Sequence, residues 1–176
     1  MNSKTEKLVF YALFAALTAI LSQIAIPLPF TPVPVNLATL SVLLSGALLG
    51  PIGGMMSQLI YILIGAVGLP VFSGFTGGLG VLIGPTGGYL FGYLFCALVT
   101  GALVNKASRK QLLLLAAMIA GILVCYFVGT IWFMLLMKTT ILNALLLCVA
   151  PFLLGDGIKI AAAFFLTIRL GGKRIG

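Results

Sequence analysis

Residues 37–67 read LATLSVLLSGALLGPIGGMMSQLIYILIGAV, and this stretch decides the topology of the chain. It is apolar throughout and is compatible with either one long membrane span or two short ones. The Gly50-Pro51 dipeptide favours two spans, because glycine suits the residue after a helix and proline suits the first helical turn. We therefore predict a helical hairpin, residues 37–50 and 51–67, that reverses at this dipeptide.

The composition extends this interpretation to the whole chain. Of 176 residues, 62% are hydrophobic and 7% are charged, with a mean hydropathy of +1.29. A soluble domain of this size cannot bury so many apolar side chains. Helices satisfy their own backbone hydrogen bonds in lipid, so we predict one all-α membrane domain spanning residues 1–176.

The charges indicate the orientation of this domain. The net charge of +8 does not predict nucleic-acid binding, because the cations form short clusters beside apolar runs, as topology signals do. The predicted spans are residues 8–26, 37–50, 51–67, 85–104, 112–137 and 141–170, and we predict that the last of them bends near Pro151 or Gly155. Six spans place both termini in the cytoplasm, with Lys138 outside and Lys159 within the membrane. The cytoplasmic cations are then Lys4, Lys7, Lys106, Arg109, Lys110, Arg169, Lys173 and Arg174.

Two irregular stretches fall on the outer face in this topology. Residues 27–34, PLPFTPVP, should be extended and close to polyproline II. Residues 68–84 are glycine-rich yet apolar. Irregular backbone next to a membrane must be buried in protein or line a cavity, so we interpret these stretches as a lid and a rim over a pocket. The alternative is that both are tight connectors.

The sequence GDGIK, residues 155–159, lies within the last apolar run. Asp156 is one of two acidic residues in the chain. A charge inside a membrane costs roughly 3 kcal/mol on insertion scales, and Asp156 and Lys159 share one helix face at the spacing i, i+3. The flanking glycines leave room for a ligand or another backbone. The pair is either a contact point for a small polar molecule or an ion pair that only separates helices.

Several classes of chemistry are excluded or lack support. The chain has no histidine, so a histidine metal site or a Ser-His-Asp triad is impossible, and we predict no metal, no cofactor and no enzymatic activity. Residues 84–88, GPTGG, are not followed by the Gly-Lys-Ser/Thr of a nucleotide-binding loop. Energy for uphill transport must therefore come from other proteins. Cys96, Cys125 and Cys148 are isolated in apolar runs, as buried thiols usually are.

Small residues recur at the spacing i, i+4 on two spans, a pattern that lets membrane helices approach closely. We interpret Gly84, Gly88 and Gly92 as internal packing. Ala12 and Ala16, on the first span, are compatible with an external partner. Tyr61 on the third span is compatible with a hydrogen bond to a ligand or to another helix.

Four stretches in order resemble the BioY family, the biotin-binding S components of energy-coupling-factor (ECF) transporters, over essentially the whole chain. They are PLPFTPVP at 27–34, GAVGLPVFSG at 65–74, GPTGGYLFG at 84–92 and GDGIK at 155–159. The resemblance implies an S-component bundle of six helices in a prokaryotic plasma membrane, and biotin capture on the outside. It also implies partners: a transmembrane T component, met through Ala12 and Ala16, and two cytoplasmic ABC-type ATPases.

The resemblance further implies that Asp156 and Lys159 contact biotin. The biotin carboxylate suits the Lys159 ammonium, and the ureido N–H groups suit Asp156, although which end faces which residue stays open. Many relatives carry Thr-Leu-Gln-Thr after the proline-rich stretch, where this chain has Asn36-Leu-Ala-Thr39, so Asn36 is the replacement candidate for the missing amide. The other expected contacts are Phe30, Tyr61, Phe72, Ser73 and Tyr89.

Three alternative functions stay open on the residues alone. An S component for another vitamin would be separated by ligand-binding assays. A solitary secondary transporter or channel would need a proton relay or an inverted repeat, and neither is evident. A membrane enzyme has too few polar residues available, and turnover assays would test it.

Overall fold

The computed structural model describes residues 4–106 and 111–170, which form a bundle of helices with one short hairpin of strands. In chain order the elements are α1 (Lys4–Gln23), β1 (Ala25–Leu28), β2 (Thr31–Asn36), α2 (Ala38–Ala66), α3 (Leu79–Leu82), α4 (Gly87–Lys106), α5 (Gln111–Met137), α6 (Ile141–Cys148), a 3-10 turn (Ala150–Phe152) and α7 (Leu153–Arg169). Within the described ranges, five helical segments are long and apolar enough to cross a membrane, with α2 counted as one segment.

Helix α2 is in fact a hairpin of two arms, residues 38–49 and 51–66. Gly50 adopts φ 78° and ψ −178°, a left-handed conformation that breaks the helix. Gln58 Nε2 lies 3.1 Å from Ser45 Oγ, whereas 13 residues of continuous helix would separate the two by roughly 20 Å. A Cβ on Gly54 would lie 2.8 Å from the Gly46 Cα, so glycines allow the arms to touch. The predicted hairpin and the six-helix bundle are confirmed.

The six crossings put both irregular stretches at one end of the bundle, which we call the loop end. The start of α1 and the end of α7 lie at the opposite end, as do Lys106 and Arg169 at the ends of α4 and α7. The predicted cytoplasmic cations Arg109, Lys110, Lys173 and Arg174 lie outside the described residues.

The proline-rich stretch is extended, as predicted, but the expectation of polyproline II is wrong. Strands β1 and β2 pair antiparallel through Ala25–Asn36, Ile26–Val35 and Leu28–Thr31, with an irregularity between Ile26 and Leu28. None of these paired residues is a proline. The prolines fall between the pairing positions, where their missing N–H groups remove no ladder hydrogen bond.

Several boundaries differ from the sequence-based ones. Helix α1 ends at Gln23 rather than Ile26, because Ile24–Ile26 turn into β1 ahead of a proline. Helix α4 begins at Gly87, two residues after Pro85. Residues 68–84 are mostly irregular but contain α3 and a bridge between Phe72 and Thr76. The last span bends at the 3-10 turn that contains Pro151, which confirms the first of the two predicted bend positions.

Glycines set the distance between α4 and α5. A Cβ on Gly88 would collide with Trp132, and one on Gly92 would lie 3.0 Å from Cys125 Sγ. The Trp132 indole also donates a hydrogen bond of 3.0 Å to the Gly84 carbonyl. The interpretation of this glycine stripe as internal packing is confirmed. It brings α5, and with it Tyr126, close to the loop-end cavity.

Candidate functional site

A cavity of about 270 Å³ lies at the loop end of the bundle. Its wall is built by β2, the 68–84 stretch and helices α2, α4, α5 and α7, with the 3-10 turn. The lining residues are Pro32, Val33, Pro34, Asn36, Thr39, Phe72, Ser73, Thr76, Thr86, Tyr89, Leu90, Tyr93, Ile122, Cys125, Tyr126, Phe152, Asp156 and Lys159. Six of the eight predicted contact residues are among them.

Asp156 and Lys159 form a buried ion pair at this cavity, with 3% and 4% of each residue exposed. Lys159 Nζ also donates a 2.7 Å hydrogen bond to the backbone carbonyl of Asn36. Asp156 accepts from two further groups, the Thr39 hydroxyl at 3.2 Å and the Tyr126 hydroxyl. Four segments of the chain, α2, β2, α5 and α7, therefore converge on one pair of charges.

The hydrogen-bonding capacity of this pair is not exhausted within the protein. An ammonium has three donors, and Lys159 uses two, on Asp156 and Asn36. A carboxylate has about four acceptor sites, and Asp156 uses three, for Lys159, Thr39 and Tyr126. The pair thus offers one donor and one acceptor side by side to a molecule in the cavity. It carries no net charge as a unit.

Local structure explains why the carboxylate lies here. Pro151 belongs to a 3-10 turn, and α7 begins immediately after it, which puts Asp156 in the first turn of the helix. A negative charge is stabilised there by the unpaired backbone N–H groups. The flanking glycines do not leave room for a ligand, contrary to expectation. Neither lines the cavity, Gly157 is exposed, and a Cβ on Gly155 would make only an ordinary contact with Val35.

The aromatic residues divide into two groups. Phe72 and Tyr89 line the cavity, and the Tyr89 hydroxyl is held 3.3 Å from the Cys148 carbonyl. Tyr61 instead lies behind Phe72, with its ring edge-on at a centroid distance of 5.5 Å. Phe30 is 56% exposed at the tip of the strand hairpin. The structure thus does not bring Phe30 or Tyr61 to the cavity wall.

Asn36 and Ser73 both line the cavity, and they bond to each other. The Asn36 amide donates to Ser73 Oγ at 2.6 Å, and its side-chain oxygen accepts from the Ala38 N–H at 3.0 Å. The amide is therefore committed to joining the 68–84 stretch to the start of α2. The backbone carbonyl of Asn36, rather than its amide, receives Lys159.

Sequence reasoning missed Thr39 and Tyr126 as partners of Asp156. Thr39 belongs to the Asn36-Leu-Ala-Thr39 segment that was compared with the family pattern, but nothing in that segment shows which way its hydroxyl points. Tyr126 is the only tyrosine in α5, a 27-residue helix that is otherwise almost wholly apolar. A single tyrosine in such a helix is the signal that could have identified it, because buried tyrosine hydroxyls usually have a partner.

Ala12 and Ala16 lie on the outer face of α1, where both are exposed. The neighbouring Ala15 is turned inward and is 2% exposed. Helix α1 is also weakly enclosed, with four of its 20 residues buried, against 19 of 29 for α2. A flat strip of small side chains is therefore available to another membrane helix.

A multi-pass helical bundle whose cavity ends on a buried, partly satisfied ion pair is a membrane-embedded small-molecule-binding protein. The sequence profile of the BioY family matches residues 1–173, and the chain belongs to the BioY family. This membership confirms the resemblance seen in the motifs. It also assigns the chain to a family of transport proteins rather than enzymes.

Individual relatives agree with the family match. The chain is 36% identical to the "Probable biotin transporter BioY" of Pyrococcus horikoshii, over 97% of this chain and 99% of the relative. It is 38% identical to the "Biotin transporter BioY" of Thermotoga maritima, over 94% and 95% respectively. Its fold is similar to a crystal structure described as the S-component for biotin from an ECF-type ABC transporter, with a TM-score of 0.90, 30% identity and coverage of 98% and 94%.

Proposed function

We propose that this protein binds biotin at the outer face of the plasma membrane and delivers it into the cell as the S component of an ECF-type ABC transporter. The observation that carries the proposal is the ion pair of Asp156 and Lys159 in the loop-end cavity. Biotin transport by the named relatives supports the choice of ligand. The loop end faces outward in this proposal, because the described cations Lys4, Lys7, Lys106 and Arg169 lie toward the other end.

The pairing of the two charges restricts how biotin can bind. In biotin, the bicyclic ring and the pentanoate chain separate the ureido group from the carboxylate. Because Asp156 and Lys159 contact each other, the two ends of one biotin cannot each take one of them. The ureido group carries N–H donors beside a C=O acceptor, which matches the free acceptor and donor of the pair. The ureido end therefore meets the ion pair, and the carboxylate points toward the mouth.

The remaining wall suits the rest of the molecule. Phe72, Tyr89 and Leu90 supply apolar surface for the ring and the methylene chain, as in most small-molecule sites. The pair has no net charge, so it is suited to a neutral ureido group.

The test is titration calorimetry on the purified protein, with retention of biotin through size exclusion as a second readout. Biotin and desthiobiotin, which share the ureido ring, should both bind. Biotin methyl ester should bind nearly as well, and diaminobiotin, which lacks the ureido carbonyl, should bind at least about tenfold more weakly. If biotin does not bind and another vitamin does, that vitamin is the ligand and the proposal of biotin is wrong. Strong loss with the ester alone would reverse the orientation.

The transport step requires partners, which we propose to be a T component and two ABC-type ATPases. The exposed strip of Ala12 and Ala16 is the contact proposed for the T component, since membrane helices associate through close backbone approach. Replacing both with tryptophan should abolish co-purification with the T component and ATP-dependent uptake into vesicles. Biotin affinity of the isolated protein should stay within about twofold, a change below ~0.5 kcal/mol.

A matched control exists on α5. Ile119 and Leu123 have the same spacing and are exposed, at 42% and 59%. Their double replacement with tryptophan should leave both assembly and uptake intact. Assembly that survives the α1 change, or is lost equally in the α5 control, would remove α1 as the partner contact.

A further inference from the structure

Residues 72–76 of the 68–84 stretch form a closed turn of their own. Phe72 N–H donates to the Thr76 carbonyl at 2.9 Å, and Thr76 N–H donates back at 3.3 Å. Gly74 and Phe75 complete the turn with φ of 74° and 56°. A left-handed phenylalanine is unusual, so the surrounding contacts must stabilise this conformation. The turn bears on the cavity directly, because Phe72, Ser73 and Thr76 line it.

The end of α1 supplies those stabilising contacts. Gln23 Nε2 lies 3.0 Å from the Val71 carbonyl and 3.1 Å from the Phe72 carbonyl, so its two hydrogens can serve both. Gln23 Oε1 accepts from the N–H of the left-handed Phe75 at 2.9 Å. The adjacent Ser22 hydroxyl lies 2.6 Å from the Val71 carbonyl. One amide side chain thus bonds the turn at both its beginning and its middle.

The turn is connected onward to the ion pair. Ser73 Oγ receives the Asn36 amide, and the Asn36 carbonyl receives Lys159. Hydrogen bonds therefore run without a break from Gln23 through the turn and β2 to Lys159. Movement of the turn away from α1 would open the cavity wall. It would also disturb Asn36, whose carbonyl accepts the hydrogen bond from the Lys159 ammonium.

We propose that Gln23 is a positioning residue that latches the 72–76 turn over the cavity and so sets the rate at which bound biotin leaves. The proposal rests on the proposed function. Gln23 is not in the cavity wall, so it acts through the turn and never touches the ligand. Hydrogen exchange at the turn therefore measures the latch independently of biotin.

The test uses Gln23→Met, which keeps the length of the side chain and removes its hydrogen bonds. Stopped-flow measurements should show biotin dissociating about tenfold faster, with the association rate changed less than about threefold, since two or more hydrogen bonds close the turn. Hydrogen exchange on the ligand-free variant should show faster exchange of the amides of Phe72, Phe75 and Thr76. Gln111→Met, at the exposed start of α5, is the matched control and should change neither readout.

Each outcome bears on the proposal. Unchanged dissociation and unchanged exchange in the Gln23 variant would overturn the latch. An association rate constant that falls as much as the dissociation rate constant rises would indicate damage to the cavity instead, and would also overturn the latch. If Gln23→Met does not fold, Ser22→Ala should give the same change at about threefold in dissociation rate, and no change would overturn the latch. If the wild-type protein binds no biotin, the proposed function fails while hydrogen exchange still decides the latch.

Discussion

Two buried polar clusters lie in this apolar bundle, and they differ in how completely they satisfy themselves. The cavity cluster comprises Asp156, Lys159, Tyr126, Thr39 and Asn36. The interhelix cluster lies between α1 and the two arms of α2 and comprises Thr18, Ser41, Ser45, Ser57 and Gln58. All five of the latter have 0% exposure. Both clusters join segments distant in the chain, yet only the first lines the loop-end cavity.

The interhelix cluster is neutral and closed. Thr18 Oγ1 lies 2.9 Å from Ser41 Oγ and 3.2 Å from Gln58 Oε1. Gln58 Nε2 lies 3.1 Å from both Ser45 Oγ and Ser57 Oγ. The hydroxyls of Thr18, Ser45 and Ser57 each also bond a carbonyl of their own helix. Every donor in this cluster therefore has an acceptor inside the protein, so none is left to donate to a ligand.

The cavity cluster is charged and leaves a donor and an acceptor unused. Burying a carboxylate and an ammonium costs several kcal/mol per ion unless further hydrogen bonds compensate. The protein provides three such bonds from Thr39, Tyr126 and Asn36, and a ligand can provide the rest. The comparison teaches that a buried polar cluster indicates a binding site when it is incompletely satisfied and faces a cavity. The predictions below test this distinction.

The largest effect should follow from removing one charge. Asp156→Ala and Lys159→Ala each leave the partner charge unpaired and remove a ligand contact, a loss of about 2–5 kcal/mol that corresponds to roughly 30- to several-thousand-fold in affinity. Titration calorimetry on each variant, after size exclusion shows a single folded species, measures the change. Near-unchanged affinity in both variants would mean that the pair is only structural.

A smaller effect should follow from removing the Tyr126 hydroxyl. Tyr126→Phe deletes a hydrogen bond to the Asp156 carboxylate without changing packing, and bonds to charged groups contribute about 1.5–3 kcal/mol. Biotin affinity should fall about tenfold or more, while the melting temperature changes little. Tyr11→Phe, on α1 away from the cavity, is the matched control. Equal affinities for the two variants would remove Tyr126 from the site.

The smallest effect on affinity should come from the interhelix cluster. Gln58→Leu is close to isosteric. The hydroxyls that lose Gln58 as a partner, on Thr18, Ser45 and Ser57, keep their bonds to backbone carbonyls. Each lost bond should therefore cost about 0.6 kcal/mol, a typical value between membrane helices. The melting temperature should fall by a few degrees, and biotin affinity should stay within about twofold. Gln111→Leu, on the exposed start of α5, should change neither quantity. A tenfold loss of affinity in Gln58→Leu would show that the two clusters are coupled.

Much of the fold was predictable because its signals are local. Gly50-Pro51, together with the distribution of the cations, indicated the reversal of α2, and Pro151 indicated the break before α7. The pairing of β1 with β2 was not predictable, because four prolines in eight residues argue against a regular strand. The strands pair nevertheless, since the residues that fall opposite each other are not the prolines. Tyr61 and Phe30 were assigned to the site on their chemistry, and the fold turned one inward behind Phe72 and the other outward.

The sequence by itself determined that the chain is a six-helix membrane protein with Asp156 and Lys159 in the interior of its last span. Hydrophobicity, proline, glycine and a spacing of i, i+3 act within a few residues of each other, and the chain order records them directly. Only the tertiary structure decided that Tyr126 and Thr39 satisfy Asp156, that the Asn36 carbonyl receives Lys159, and that Gln23 holds the 72–76 turn. These contacts join residues separated by 30 or more positions, and the direction of a side chain across such a distance is set by how helices pack.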